Sequence, residues 1–144
     1  MVQEYENWGE IFKIEFDIRI TKHSSALLNV IHFTANDNGA ANGDRIPAVW
    51  VLGEKLLFFS AISGDHNHQE KLDYALGQMH HIIIAQYKEL NKYWFQIIID
   101  GESKVKIQNT QPQSFSRVKL YASDPWFDPF SSEFGCIGNI KISK

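Results

Sequence analysis

The chain has little that would hold it together covalently or place it in a membrane. Its 144 residues include one cysteine, Cys136, which cannot close an internal disulfide. That favours a reducing compartment. No apolar run approaches the roughly 20 residues of a membrane-spanning helix. There is no excess of positive charge: 14 Lys and Arg stand against 17 Asp and Glu, a formal net charge of -3. The broad basic stripe of a nucleic-acid binder is therefore missing, and nucleic acid is not an expected partner. No Asn-x-Ser/Thr sequon occurs. The opening "MVQEYENWGE" is polar and acidic, unlike a signal peptide. No stretch has convincing helical periodicity. "NHQEKLDYALGQMH" has room for one helical turn, although "KLDYAL" also fits a strand.

Strand signals fill the rest. In "IFKIEFDIRI" Phe12, Ile14, Phe16, Ile18 and Ile20 alternate with Lys13, Glu15, Asp17 and Arg19. That period of two predicts one buried and one wet face. "LLNVIHFT", apolar on both faces, is a second strand. "PAVWVL" and "KLLFFSAI" follow, joined by a tight turn at Gly53-Glu54, then "HHIIIAQYK" and "KYWFQIII". Asp100-Gly101 between two strand patterns predicts a type I′ hairpin, whose two central residues need positive φ. "SRVKLYAS" and "CIGNIKIS" complete nine or ten strands. The expectation is one all-β domain over 1–144, an antiparallel two-sheet sandwich or barrel. Residues 1–9 read as a loosely ordered segment or a first edge strand.

The ordered series "IEFDIRI", "NVIHFT", "MHHIIIAQYKELNKYWFQIIIDGE", "VKLYASDPW" and "FGCIGNIKI" resembles the concanavalin A-like lectin/glucanase jelly-roll superfamily. Its pattern is most similar to laminin-G-like and lectin-like modules. The resemblance runs from Trp8 to Ile142. It implies a jelly-roll β-sandwich and a recognition module for a glycan or glycoprotein at a loop rim, often assisted by calcium. It implies a cell-adhesion type of role and an extracellular or secreted setting, with a cytoplasmic one left open by Cys136. Laminin-G modules usually pair the late cysteine with an earlier one, and Cys136 has none. A homo-oligomer or adhesive module is a second reading, through exposed rows on "ESKVKIQ" and "RVKLYA". A glycoside hydrolase is a third.

Candidate sites follow from side-chain chemistry. The segment "FTANDNGAANGDRIPAVWV" holds Asn36, Asp37, Asn38 and Asp44. These are the hard oxygen donors that calcium prefers, and also ordinary turn formers. The resemblance implies a calcium ion held between loops at one rim, which Asp37 or Asp44 with Asp124 of "YASDPW" would supply. Arg45 is expected either to pair with an acid at the loop base or to touch ligand. Trp126, Phe127 and Phe130 of "SDPWFDPF" are loop aromatics, which either stack on sugar or cap the core. Asn38, Arg45 and Trp126 are the candidate ligand contacts. Trp50 and Trp94 lie within strands and are expected in the core. His32 reads as a hydrogen-bonded core residue. His66 and His68 are spaced as metal ligands on a strand but read as polar loop residues. His80 and His81 would face opposite ways. Glu15 and Asp17 match half of the acid cluster that the resemblance to glycoside hydrolases of this fold implies; Ile20 stands where the third acid would be, and charge pairing on a wet sheet face explains them better. Cys136 has no neighbouring base and reads as a small strand residue.

Overall fold

A computed structural model describes residues 1–123, 126 and 128–144. The strands are β1 (Gln3–Trp8), β2 (Phe12–Ile20), β3 (Leu28–Thr34), β4 (Ala48–Leu52), β5 (Lys55–Ile62), β6 (Asp65–Asp73), β7 (Met79–Glu89), β8 (Lys92–Ile99), β9 (Glu102–Asn109), β10 (Phe115–Ala122), β11 (Asp128–Pro129) and β12 (Gly135–Ser143). No helix occurs among the described residues. None could therefore cross a membrane there.

The strands form two sheets. One runs β1-β10-β3-β4-β5-β6, with β11 paired to β3; the other runs β12-β2-β7-β8-β9. All the ladders are antiparallel except that of β11 with β3. This is the two-sheet jelly-roll sandwich the sequence predicts. β1 is an ordered edge strand.

The alternation read in "IFKIEFDIRI" places Phe12, Ile14, Phe16, Ile18 and Ile20 in the core between the sheets. Phe33, Val49, Val51, Leu56 and Phe58 meet them from the seven-stranded sheet, and Ile82, Ile84, Phe95 and Ile97 come from the other. Full burial of a side chain of this size is worth about 1.5–3 kcal/mol, so this layer supplies most of the driving force for folding. The expected hairpin is present, with Asp100 at φ 53° and Gly101 at φ 81°. Two expectations fail. The stretch "DHNHQEKLD" is strand β6 throughout, so His66 and His68 lie on a strand rather than in a loop. Trp94 leaves the core: Phe95, Ile97 and Ile99 turn inward, and Trp94 faces out beneath the Lys106 ammonium, 5.0 Å from its ring.

The seven-stranded sheet buries apolar groups on its outer side as well. Ala48, Trp50, Leu57 and Phe59 form a second cluster there. Cross-strand pairing of Ala48 with Phe59 and of Trp50 with Leu57 sets them on one face. That explains why β3 reads as apolar on both faces and why β4 and β5 are buried almost throughout: something other than the second sheet covers them.

Candidate functional site

The cover comes from two loops. The first is residues 35–47, which carries most of the oxygen-rich segment. Its base continues the ladder of β3: Phe33 N donates to Pro47 O at 2.8 Å and Ile46 N to Phe33 O at 2.9 Å. Ala35 N closes the neck onto Gly43 O at 2.8 Å. Gly43 has φ 89°, and a Cβ there would meet Asn36, Phe115 and Ala35 at 3.2–3.4 Å. Only glycine fits that turn comfortably. Asn, Asp and Thr side chains satisfy several further backbone groups. Thr34 Oγ1 donates to Asp37 O at 2.8 Å, and Asn36 Nδ2 to Asn42 O at 3.0 Å.

Asp44 is the buried centre of this loop. Its Oδ1 accepts from Asn36 Nδ2 at 3.2 Å, and its Oδ2 accepts from Ala41 N at 3.0 Å. The carboxylate is thus turned inward and used by the loop itself. Asp37 is exposed. Asp124, the third carboxylate of the proposed metal site, lies outside the described residues, as does Phe127. No group of three His, Cys, Asp or Glu side chains suited to a metal occurs among the described residues.

Arg45 follows Asp44 and leaves the loop in the opposite sense. Its guanidinium carbon lies 4.8 Å from the Trp50 ring and 4.7 Å from the Phe59 ring. Nε donates to Asn38 Oδ1 at 3.2 Å and Nη1 to Asn67 Oδ1 at 2.9 Å, the latter from β6. The ion pair expected at the loop base does not occur among the described residues. Two amide oxygens and two aromatic faces hold the cation instead. Desolvation lowers the Arg45 pKa, against the field of Asp44.

The second cover is Trp126. Its ring lies 4.7 Å from His32 and 4.9 Å from Tyr121, the latter edge-on. His32 in turn meets Trp50 at 5.2 Å, edge-on, and Trp50 meets Phe59 at 5.0 Å. A run of rings therefore crosses the outer face: Tyr121 on β10, Trp126, His32 on β3, Trp50 on β4 and Phe59 on β5. His32 and Trp50 are buried, whereas Tyr121, Trp126, Arg45, Asn38 and Asn67 remain half-exposed. The three candidate ligand residues, Asn38, Arg45 and Trp126, thus lie on one sheet face. Of its companions in the loop, Phe130 folds back into the core, as one of the two expectations had it.

His32 is a hydrogen-bonded residue, as expected, but on the outer face rather than between the sheets. Its Nε2 lies 2.6 Å from Asp44 O, to which it donates. Burial drives its pKa down from 6.5 to about 4, partly opposed by that bond and helped by the charge of Arg45. The ring is neutral at physiological pH. Its Nδ1 is a buried acceptor with no partner among the described residues. Sequence reasoning missed Tyr121, His32, Asn67 and Phe59 as parts of this face. The one available signal was the two-sided apolar character of β3.

The other sheet carries Glu15 and Asp17, facing outward on β2. Lys13 Nζ lies 3.1 Å from Glu15. His81 Nδ1 lies 2.7 Å from Asp17 Oδ1, and Asn139 Nδ2 donates to Asp17 Oδ2 at 2.7 Å. The Lys13 contact lowers the Glu15 pKa, and the Asn139 and His81 contacts lower that of Asp17. A glycosidase pair needs one carboxyl raised to act as acid. Here both are held ionised, in a lattice of charge pairs on a sheet surface. His80 points the other way from His81, as expected, and its Nδ1 meets Asp100 Oδ2 at 2.6 Å. Of the two strands offered for self-association, β10 lies between β1 and β3, while β9 is a free sheet edge.

No family model matches the chain, and no curated protein matches it. Solved structures do match. The botulinum neurotoxin type G receptor binding domain has a TM-score of 0.60 at 15% identity, over 92% of this chain and 34% of that one. The carbohydrate binding module CBM66 from Bacillus subtilis gives 0.51 at 11%, over 99% and 78%. Alginate lyase from Alteromonas sp. 272 gives 0.53 at 9%, over 93% and 72%. This chain spans only about a third of the botulinum domain. The fold they share with it is the concanavalin A-like jelly roll.

Proposed function

We propose that the chain is a carbohydrate-recognition module that binds a glycan or glycoprotein on the outer face of its seven-stranded sheet. The observation that carries this reading is the run of rings ended by a guanidinium that two asparagines fix in place. Sugars present apolar C–H faces and hydroxyl edges. Trp126 and Tyr121 supply stacking surface for the first. Asn38, Arg45 and Asn67 supply donors and acceptors for the second. The half-exposure of these five side chains leaves them open to a ligand, while buried His32 and Trp50 keep the platform rigid. Neighbours of the same fold whose names declare carbohydrate binding or polysaccharide cleavage support the class. The chemistry is equilibrium recognition, since Glu15 and Asp17 offer no split between acid and base. A module of this kind would work outside the cell, in secreted form or at its surface.

Calcium is an accessory in this reading. Asp44 is consumed inside its loop, so a rim cation would rest on Asp37 and Asp124 with loop carbonyls. A melting temperature that rises with calcium and falls with chelator supports it, since a ligand of the native state alone must stabilise it. No shift removes the metal from the account.

The function is tested by a glycan array probed with the wild-type chain and with Trp126→Ala. Binding by the wild type that the variant loses, with its fold intact by circular dichroism, is the expected result. Sugar binding that survives Trp126→Ala would put the site elsewhere.

A further inference from the structure

Arg45 is charged and half-withdrawn from water, and this is where its surroundings are incomplete. A cation taken out of water is normally matched by an acid, because desolvation is costly. Some more exposed cations of this chain have such partners: Arg117 with Glu4, Lys22 with Glu133, Lys13 with Glu15. Arg45 has none among the described residues. Its hydrogen bonds go to two neutral amide oxygens, and its sides lie against Trp50 and Phe59. The adjacent carboxylate, Asp44, is turned away onto Asn36 and Ala41. Of the five N–H donors of a guanidinium, Asn38 and Asn67 take two, leaving three on Nη1 and Nη2 without an acceptor among the described residues. The fixed plane, the open donors and the unmatched charge together describe half of an ion pair.

We infer that the saccharide bound on this face is acidic, and that its carboxylate completes the Arg45 site as a two-oxygen acceptor. This rests on the glycan reading above and narrows it to uronic- or sialic-acid-bearing chains. A planar carboxylate matches the remaining in-plane donors of the fork. The sugar ring that carries it then extends along the rings toward Trp126. Asn38 and Asn67 act as positioning residues, holding the guanidinium from behind.

The test uses a printed array on which uronate- and sialate-bearing oligosaccharides stand beside their methyl esters, their neutral counterparts and O-sulfated counterparts. The wild-type chain is expected to bind carboxylated members about tenfold to a hundredfold more tightly than their esters. Arg45→Gln flattens that ratio. Arg45→Lys keeps part of it, because the charge remains and the fork is lost. Equal binding of acid and ester overturns the acidic-ligand inference but leaves glycan recognition standing, as does tighter binding of the sulfated member. No binding to any sugar overturns both. If Arg45→Gln does not fold, the wild-type ratio of acid to ester and the Arg45→Lys variant still decide the matter.

Discussion

The imidazole Nε2 of His32 lies 2.6 Å from the carbonyl oxygen of Asp44. One buried ring thus ties an interior strand of the seven-stranded sheet to the polar loop that carries Asn38 and Arg45. The bond requires the ring N–H and does not require charge. Burial beside Arg45 keeps the ring neutral, with a pKa of about 4.

This gives a pH prediction with a definite sign. In the unfolded chain His32 titrates near 6.5. Between that value and about 4 the unfolded state takes up a proton that the native state refuses. Native stability therefore falls as pH drops through that window, by up to roughly 3 kcal/mol at about 1.4 kcal/mol per pH unit. Urea melts at about pH 7.5 and about pH 5 would show it in the wild type. His32→Gln should lose clearly less between the two. Equal losses in both proteins would contradict the assignment.

Much of the fold is legible in the sequence because β2 and the Asp100-Gly101 hairpin are governed by local rules. Alternation sets the face, and positive φ selects the turn. Strand β6 is harder to read, since an edge strand of this sandwich gives the core little beyond Leu72. The Trp94 error has a similar origin. "KYWFQIII" is a nearly unbroken apolar run, and nothing within it says which alternate set turns inward. The site divides the same way. Asn38, Arg45 and Trp126 stand out by residue type, but their convergence does not. Trp126 reaches His32 across more than ninety residues of chain, and no local pattern records that contact. The acid partner expected for Arg45 does not occur among the described residues; Asp44, its neighbour in sequence, points into its own loop.

The loop makes a second prediction. Asp44→Ala removes acceptors for Asn36 Nδ2 and Ala41 N, and should cost about 1–3 kcal/mol. Gly39→Ala should act through the same carboxylate, since a Cβ there would come within 2.6 Å of Asp44 Oδ2. Gly138→Ala is the control, with nothing within 4 Å of the added carbon. Thermal melts that rank the two loop variants with the control would contradict this account of the loop.

Tryptophan emission offers a third. Trp8 and Trp50 are buried, and Trp94 lies on the other sheet. A sugar that stacks on Trp126 should therefore change a signal that Trp126→Phe abolishes and Trp94→Phe leaves intact. Loss of the response in Trp94→Phe would move the site to the five-stranded sheet.

Glu15 and Asp17 give the fourth. As members of a charge lattice they should be dispensable for sugar binding, and the wild type should release no reducing ends from any bound oligosaccharide. Their lowered pKa values mean that the stability they contribute is present above the unfolded carboxylate pKa and fades as pH falls through the folded one. Cleavage that Glu15→Gln eliminates would restore the hydrolase reading.

The most direct measurement is a titration of the labelled protein with a sugar found on the array, followed by the side-chain N–H resonances in NMR. The indole N–H of Trp126 and the Nε–H of Arg45 should shift together and saturate at one affinity, while those of Trp8 and Trp94 stay in place. Shifts centred on Trp94, with Arg45 and Trp126 unmoved, would contradict a binding site on the outer face of the seven-stranded sheet.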